Sequence, residues 1–167
     1  MITKNWYSVF AASFMGARST DYEYVDCSGT TRQTNGSASN MTGLSFDNVG
    51  NINTNTSPSS SGITFGTGTV TPTANDYWLS GNVVSTLSLL SQTSDKVVSG
   101  SKWTQKKIFV VKNTGSSAVT ITEVCWHGTV GWQVMFDRTL LDSPVTIPAG
   151  GQGVVTYTVA LDLPIPS

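Results

Sequence analysis

Charge is scarce in this chain. Asp, Glu, Lys and Arg make up 11% of its 167 residues, against about a quarter in an average globular protein. The basic residues are scattered, with Lys102, Lys106 and Lys107 as the densest group. Such scatter argues against a nucleic-acid surface, which needs clustered Lys and Arg, and the lysine group reads as a solvated strand end. No run approaches the ~20 apolar residues of a transmembrane helix, so no membrane partner is expected. The start, "MITKNWYSVFAASFMGARS", lacks the clean apolar stretch of a secretory signal, because Ser8 and Ser13 interrupt it. Cysteine is nearly absent. Cys27 and Cys125 lie far apart and match no zinc or redox spacing; one disulfide is open to them, and two free buried thiols are expected if the chain is made and kept in a cytoplasm.

Reactive side chains are equally few. A Ser-His-Asp mechanism would need the single histidine, His127, with Asp137 or Asp142 as its orienting carboxylate. A lone histidine before a glycine reads first as a loop or partly buried residue. Cys125 and His127 alternate along a strand and can share a face, but a metal site needs further ligands that the sequence does not offer. A carboxylate pair for sugar hydrolysis is conceivable among Asp21, Glu23, Asp76 and Glu123, although such a pair is defined by separation in space. "GTGT" at 66–69 lacks the Gly-Lys-[Ser/Thr] ending of a phosphate loop. Asn40-Met41-Thr42 fits a glycan-acceptor pattern, which is idle without a secretory route. The reading is therefore no catalytic residue, no metal and no cofactor.

What is present is β-forming. Residues 3–15 are the exception: Trp6, Val9, Phe10 and Phe14 fall near one face at helical spacing, with Gly16 as a stop. That face either packs on its own domain or docks on a partner or sister subunit. Residues 20–26 alternate, with Tyr22, Tyr24 and Asp26 on one side and Asp21, Glu23 and Val25 on the other. Their acids are too spread out for a calcium loop. From 28 to 62 the chain is rich in Ser, Thr, Asn and Gly, with Leu44, Phe46, Val49 and Ile52 as isolated apolar points. Ile63 and Phe65 open a strand. Thr73 and Asp76 have the spacing of a cap over a short helical turn. Val83–Leu90 reads as a strand, and residues 103–126 read as a hairpin around Asn113–Ser117. A last pair of β runs in Leu140–Val159 flanks a Pro-Ala-Gly-Gly turn, with Val155, Tyr157, Val159 and Leu161 on one face. Short strands, Gly and Pro turns and little helix predict a mainly β fold: an antiparallel β-sandwich, immunoglobulin-like or jelly-roll-like, with a short N-terminal α-helix. The expected organisation is a helical anchor at 1–18, a polar β/loop region at 19–62 and the sandwich core at 63–167. Trp6, Trp78, Trp103, Trp126 and Trp132 are expected mostly in the core. The alternative is a sugar-stacking platform using Trp78 and Trp132.

Three segments carry a resemblance: "FGTGTVTPTANDYWLSG" at 65–81, "KNTGSSAVTITEV" at 112–124 and "FDRTLLDSPVTIPAGGQGVVTYTV" at 136–159. With "TKNWYSVFAASFMG" at the start, they resemble small structural proteins of tailed bacteriophages. The resemblance covers mainly the C-terminal two-thirds; residues 28–62 do not share in it, and the Cys125-Trp126-His127 run departs from the small or aliphatic residues expected there. It implies a non-enzymatic virion component, assembled in the host cytoplasm: a capsid decoration, head fibre or tail-neck appendage. The implied partners are other virion proteins and further copies of the chain, with a trimer as the expected homo-oligomer. Arg138, flanked by Asp137 and Asp142, is expected to form a structural salt bridge. A carbohydrate-binding or adhesin-like module is the alternative function.

Overall fold

The structure, a computed structural model, describes residues 1–15, 22–33, 50–57 and 60–162. Gly16, Asp21, Asn40, Leu44, Phe46 and Val49 lie outside them, as do the side chains of Phe14 and Leu161. Among the described residues the elements are one helix, α1 (Lys4–Met15), and eight strands: β1 (Glu23–Val25), β2 (Thr31–Gln33), β3 (Gly62–Gly66), β4 (Leu87–Ser99), β5 (Lys102–Asn113), β6 (Val119–Val130), β7 (Trp132–Ile147) and β8 (Gln152–Asp162). The strands form one two-stranded and two three-stranded sheets, β3-β6-β7 and β4-β5-β8. The fold is mainly β and antiparallel, consistent with a β-sandwich, with a short N-terminal helix. The chain divides into two compact units, and neither coincides with one stretch of sequence. The first takes Met1–Ser85 and Thr120–Pro144; the second takes Thr86–Val119 and Val145–Ser167.

In the first unit, β6 lies between β3 and β7. All five residues of β3 are buried, and its register sets Thr64 opposite Cys125 and Gly66 opposite Glu123. Residues two apart on a strand share a face, so Glu123, Cys125 and His127 form one row. Helix α1 belongs to this unit. Val9 and Ala12, three positions apart, are its buried stripe. Asn5 fixes it to β1, its Nδ2 donating to the Val25 carbonyl at 2.9 Å and its Oδ1 accepting from the Val25 amide at 2.9 Å. The alternation read over 22–26 is observed, with Tyr24 and Asp26 buried and Glu23 exposed.

The second unit is built on β5, paired along its length with β4 on one side and β8 on the other. Lys107, Phe109, Val111 and Asn113 alternate inward and are fully buried, with Tyr157 opposite Lys107 and Val155 opposite Phe109. Burying Phe109 and Val111 contributes roughly 1.5–3 kcal/mol each. Lys107 therefore does not belong to a solvated strand end; the period of two places it beneath the sheet, while Lys102 and Lys106 are exposed.

Three expectations about strand pairing are corrected. Residues 103–126 are not a hairpin. β5 pairs with β4 and β8, and β6 pairs in the other three-stranded sheet, so 114–118 is a connection from sheet to sheet. Its tight look comes from Asn113. That buried side chain donates to the carbonyls of Ser117, Ile147 and Pro148 and accepts from Thr86 Oγ1 and the Gly115 amide. Likewise the two arms around Pro148–Gly151 do not pair with each other; the turn closes on itself, Gly151 donating to Pro148 O at 3.0 Å, and β8 runs along β5. Finally, Val83 makes only an isolated bridge to Gly66, and the strand predicted at 83–90 begins at Leu87 and continues to Ser99.

A candidate cleft over the Arg138 charge cluster

The groups with chemical potential converge where residues 67–82 fold over one face of the first unit's sheet. Glu123, on β6, has no exposed surface. Its carboxylate accepts from the amides of Gly68, Ser80 and Gly81, from the Ser80 hydroxyl and from Arg138 Nε at 2.7 Å. So many donors require backbone to come very close. A Cβ on Gly68 would lie 2.0 Å from Ser80 Oγ, and one on Gly81 would lie 2.3 Å from the Gly68 nitrogen, so glycine is demanded at both places. Burial alone would raise the Glu123 pKa, but the bonds from Arg138, Gly81 and Ser80 outweigh it and hold the carboxyl below its ordinary range.

Arg138 comes from β7 and is 1% exposed. Besides Glu123 it donates to Asp76 Oδ2, the Val70 carbonyl and Ser80 Oγ. Its charge is opposed by burial and sustained by Glu123 and Asp76, which raise its pKa. The expected salt bridge thus exists with different partners. Asp137 instead meets the Met1 amine at 2.8 Å, and Asp142 is exposed. Asp137, next to Arg138 on β7, points to the opposite face, and Asp142, four residues on, lies where β7 is exposed.

Asp76 sits at the lip of this cluster. Thr73 donates to it through both its amide, at 3.0 Å, and its hydroxyl, at 2.7 Å, and the Asp76 amide returns a bond to the Thr73 carbonyl. The capping pattern is therefore formed, but around a single turn and without a helix. Burial opposes ionisation of Asp76, and the bonds from Thr73 and Arg138 overcome it and lower its pKa. Of the described members of the carboxylate set, Asp76 and Glu123 meet on one guanidinium. Both are held ionised, whereas glycoside hydrolysis needs one carboxyl with a raised pKa as proton donor. The arrangement is built to hold hydrogen bonds.

Beside the cluster is a cavity of about 300 Å³ lined by Val70, Asn75, Asp76, Tyr77, Trp78, Leu79, Ser80 and Arg138. Tyr77 is 46% exposed, and its ring lies against Gly29, where a Cβ would come within 3.2 Å of it. Gly29 is left-handed, with φ 83°, in a turn organised by Asp26, which accepts from Ser28, Thr30 and Arg32. Trp78 is half-buried. It packs on the Leu79–Cys125–Met135 cluster and lies 5.6 Å, ring to ring, from His127.

The remaining predicted residues have structural surroundings. His127 is fully buried, its Nε2 2.9 Å from Thr64 Oγ1, and burial lowers its pKa to about 4. Cys125 and His127 do share a face, under Trp78. Among the described residues no three His, Cys, Asp or Glu side chains converge as metal ligands. Both cysteines are free, and burial pushes their thiols up. The tryptophans do not mostly fill the core. Trp126 alone of the five is buried, against Phe136; Trp6 and Trp78 are half-buried, and Trp103 and Trp132 are more than half exposed. Arg32 covers Trp132 at 3.9 Å. On α1, Val9 faces inward and is not available to a partner, whereas Phe10 is exposed and stacks on Trp6 at 4.8 Å.

Tyr77 and Asn75 were not singled out from the sequence. The adjacent Thr73–Asp76 pattern was the available signal, but only the fold brings Arg138 beneath it. No family model matches the chain, and neither a curated protein nor a solved structure is significantly similar to it.

Proposed function

We propose that this chain is a non-enzymatic structural component of a bacteriophage virion, a capsid decoration, head fibre or tail-neck appendage. It acts by docking on other virion proteins and by association with its own copies, and α1 is its docking element. The observation that carries the reading is the aromatic group on that helix. Tyr7 is 61% and Phe10 37% exposed, and Trp6 contacts both rings, edge-on to Tyr7 and stacked on Phe10. Meanwhile Val9, Ala12 and Asn5 hold the helix to its unit. Exposed aromatics on a fixed support are the usual anchors of protein interfaces. The resemblance of residues 3–16, 65–81, 112–124 and 136–159 supplies the class of partner.

The test is immunogold electron microscopy with mass spectrometry on purified particles, comparing the natural chain with Phe10→Asp. The expected outcome is gold on the particle for the natural chain, and a folded variant missing from particles. Absence of the natural chain from particles would overturn the virion reading. Normal loading of the variant would overturn the docking role of α1.

A further inference from the structure

The cavity beside Arg138 takes no part in docking through α1, and its lining is specific. We propose that it is a binding subsite for a neutral sugar ring, with Tyr77 and Trp78 as the stacking surface and Asn75 and Asp76 as the hydroxyl-binding groups. Four observations carry this. First, two aromatic side chains are adjacent and each is braced from behind, Tyr77 by Gly29 and Trp78 by His127 and the Leu79–Cys125–Met135 cluster. Rigid aromatics lose little entropy on binding. Second, the polar lining offers both hydrogen-bond senses, as hydroxyls require. Asp76 accepts three bonds from protein, whereas a carboxylate has about four such positions. The Asn75 amide both donates and accepts.

Third, the charge selects against anions. Arg138 is matched by two carboxylates, Glu123 and Asp76, and four of its N–H groups are already committed to Glu123, Asp76, Val70 and Ser80. The lining itself, with Asp76 and Arg138, is neutral, and with the buried Glu123 behind it the cluster carries one net negative charge. A compact organic cation would meet the same aromatics, but also the guanidinium, which repels it. Fourth, about 300 Å³ is at the small end of ligand sites, roughly 300–1,000 Å³, and suits a single ring of a larger glycan.

The experiment uses the full chain on an array carrying neutral hexose, N-acetylhexosamine, sialylated and uronic-acid glycans. Hits are followed by tryptophan-fluorescence titration, with choline chloride as the cationic comparison. Neutral glycans are expected to bind. Tyr77→Ala and Asn75→Ala should weaken binding at least tenfold, whereas Trp132→Ala should leave it unchanged. Trp78→Ala can disturb packing, so the exposed Tyr77 and Asn75 variants decide, with near-ultraviolet circular dichroism confirming their fold. A silent array at high protein concentration overturns the proposal. So do binding confined to acidic glycans, saturable binding of choline in place of sugars, or neutral-glycan binding that survives Tyr77→Ala. Because the readout is binding by isolated protein, it stands or falls separately from incorporation into particles.

Discussion

At the scale of single residues, stability rests on a few buried charges whose partners are distant in sequence. Glu123→Ala would leave Arg138 buried with only Asp76 as counter-charge and would orphan the amides of Gly68, Ser80 and Gly81. Removing one partner of a buried pair costs about 3–5 kcal/mol, so a urea-denaturation midpoint should fall by a corresponding amount; a change under about 1 kcal/mol would mean that water replaces the carboxylate. His127 makes a second prediction. Its pKa falls from the ordinary 6.5 to about 4 on folding, so between those values the unfolded chain binds the proton more strongly. Stability is then full above about pH 6.5 and declines as pH falls towards 4, by about 3 kcal/mol in all. Below that, the depressed carboxyls of Glu123, Asp76 and Asp26 lose their contribution in turn, because each is protonated only below its ordinary range. His127→Gln should flatten stability between pH 6.5 and 4 while leaving the more acidic limb in place.

Elements depend on how each strand end is tied down. Asn113 is the clearest case, since one side chain gathers the ends of β5 and β7 and the start of the 114–118 connection. Asn113→Ala leaves three carbonyls short of a donor and one hydroxyl and one amide short of an acceptor. With roughly 1–3 kcal/mol for each buried group left unmet, part of it recovered by water, a loss of about 3 kcal/mol is expected in chemical denaturation. A loss below 1 kcal/mol would show that the connection holds without it. This residue also explains what could be read from sequence and what could not. Alternation exposed the inward face of β8, because Val155 and Tyr157 repeat with period two, whereas β5 was legible only as a β run, its inward row of Phe109 and Val111 being continued by a lysine, Lys107. Pairing was hidden, because Asn113–Ser117 has the composition of a hairpin turn whether or not its flanks bond to each other. The cleft was hidden for a related reason: Asp76, Glu123 and Arg138 are scattered along the chain, and no local pattern joins them. The helix too was a local periodicity, yet the sequence grouped Val9 and Phe10 on one face, whereas Val9 points in and Phe10 out.

For the whole molecule, near-balance of charge is the governing fact. The sequence carries a formal −1 and a pI of about 5.6, which assumes every group titrates as it would in water. Folding changes that sum. At pH 5.6 an ordinary histidine is mostly protonated, whereas His127, at about 4, is neutral, so the native molecule is more negative by close to one charge. Native isoelectric focusing should therefore give a lower pI than focusing in urea. Coincident bands would mean that His127 titrates freely. With so small a net charge, repulsion between copies is weak, a setting in which exposed aromatics such as those of α1 can bring surfaces together.

The interleaving of the two units has a further consequence, for biosynthesis. β6 is the middle strand of the first unit's sheet, yet β3, its partner, is translated more than fifty residues earlier. β5 gains its second neighbour only when β8 emerges. A nascent chain stopped at residue 110 has completed neither sheet and presents β5 with an open edge. Closing such long loops is slow, and incomplete sheets with open edges are prone to aggregate. The polypeptide is therefore most vulnerable on the ribosome, and its yield should respond to growth temperature and chaperone supply more sharply than the stability of the finished fold would suggest.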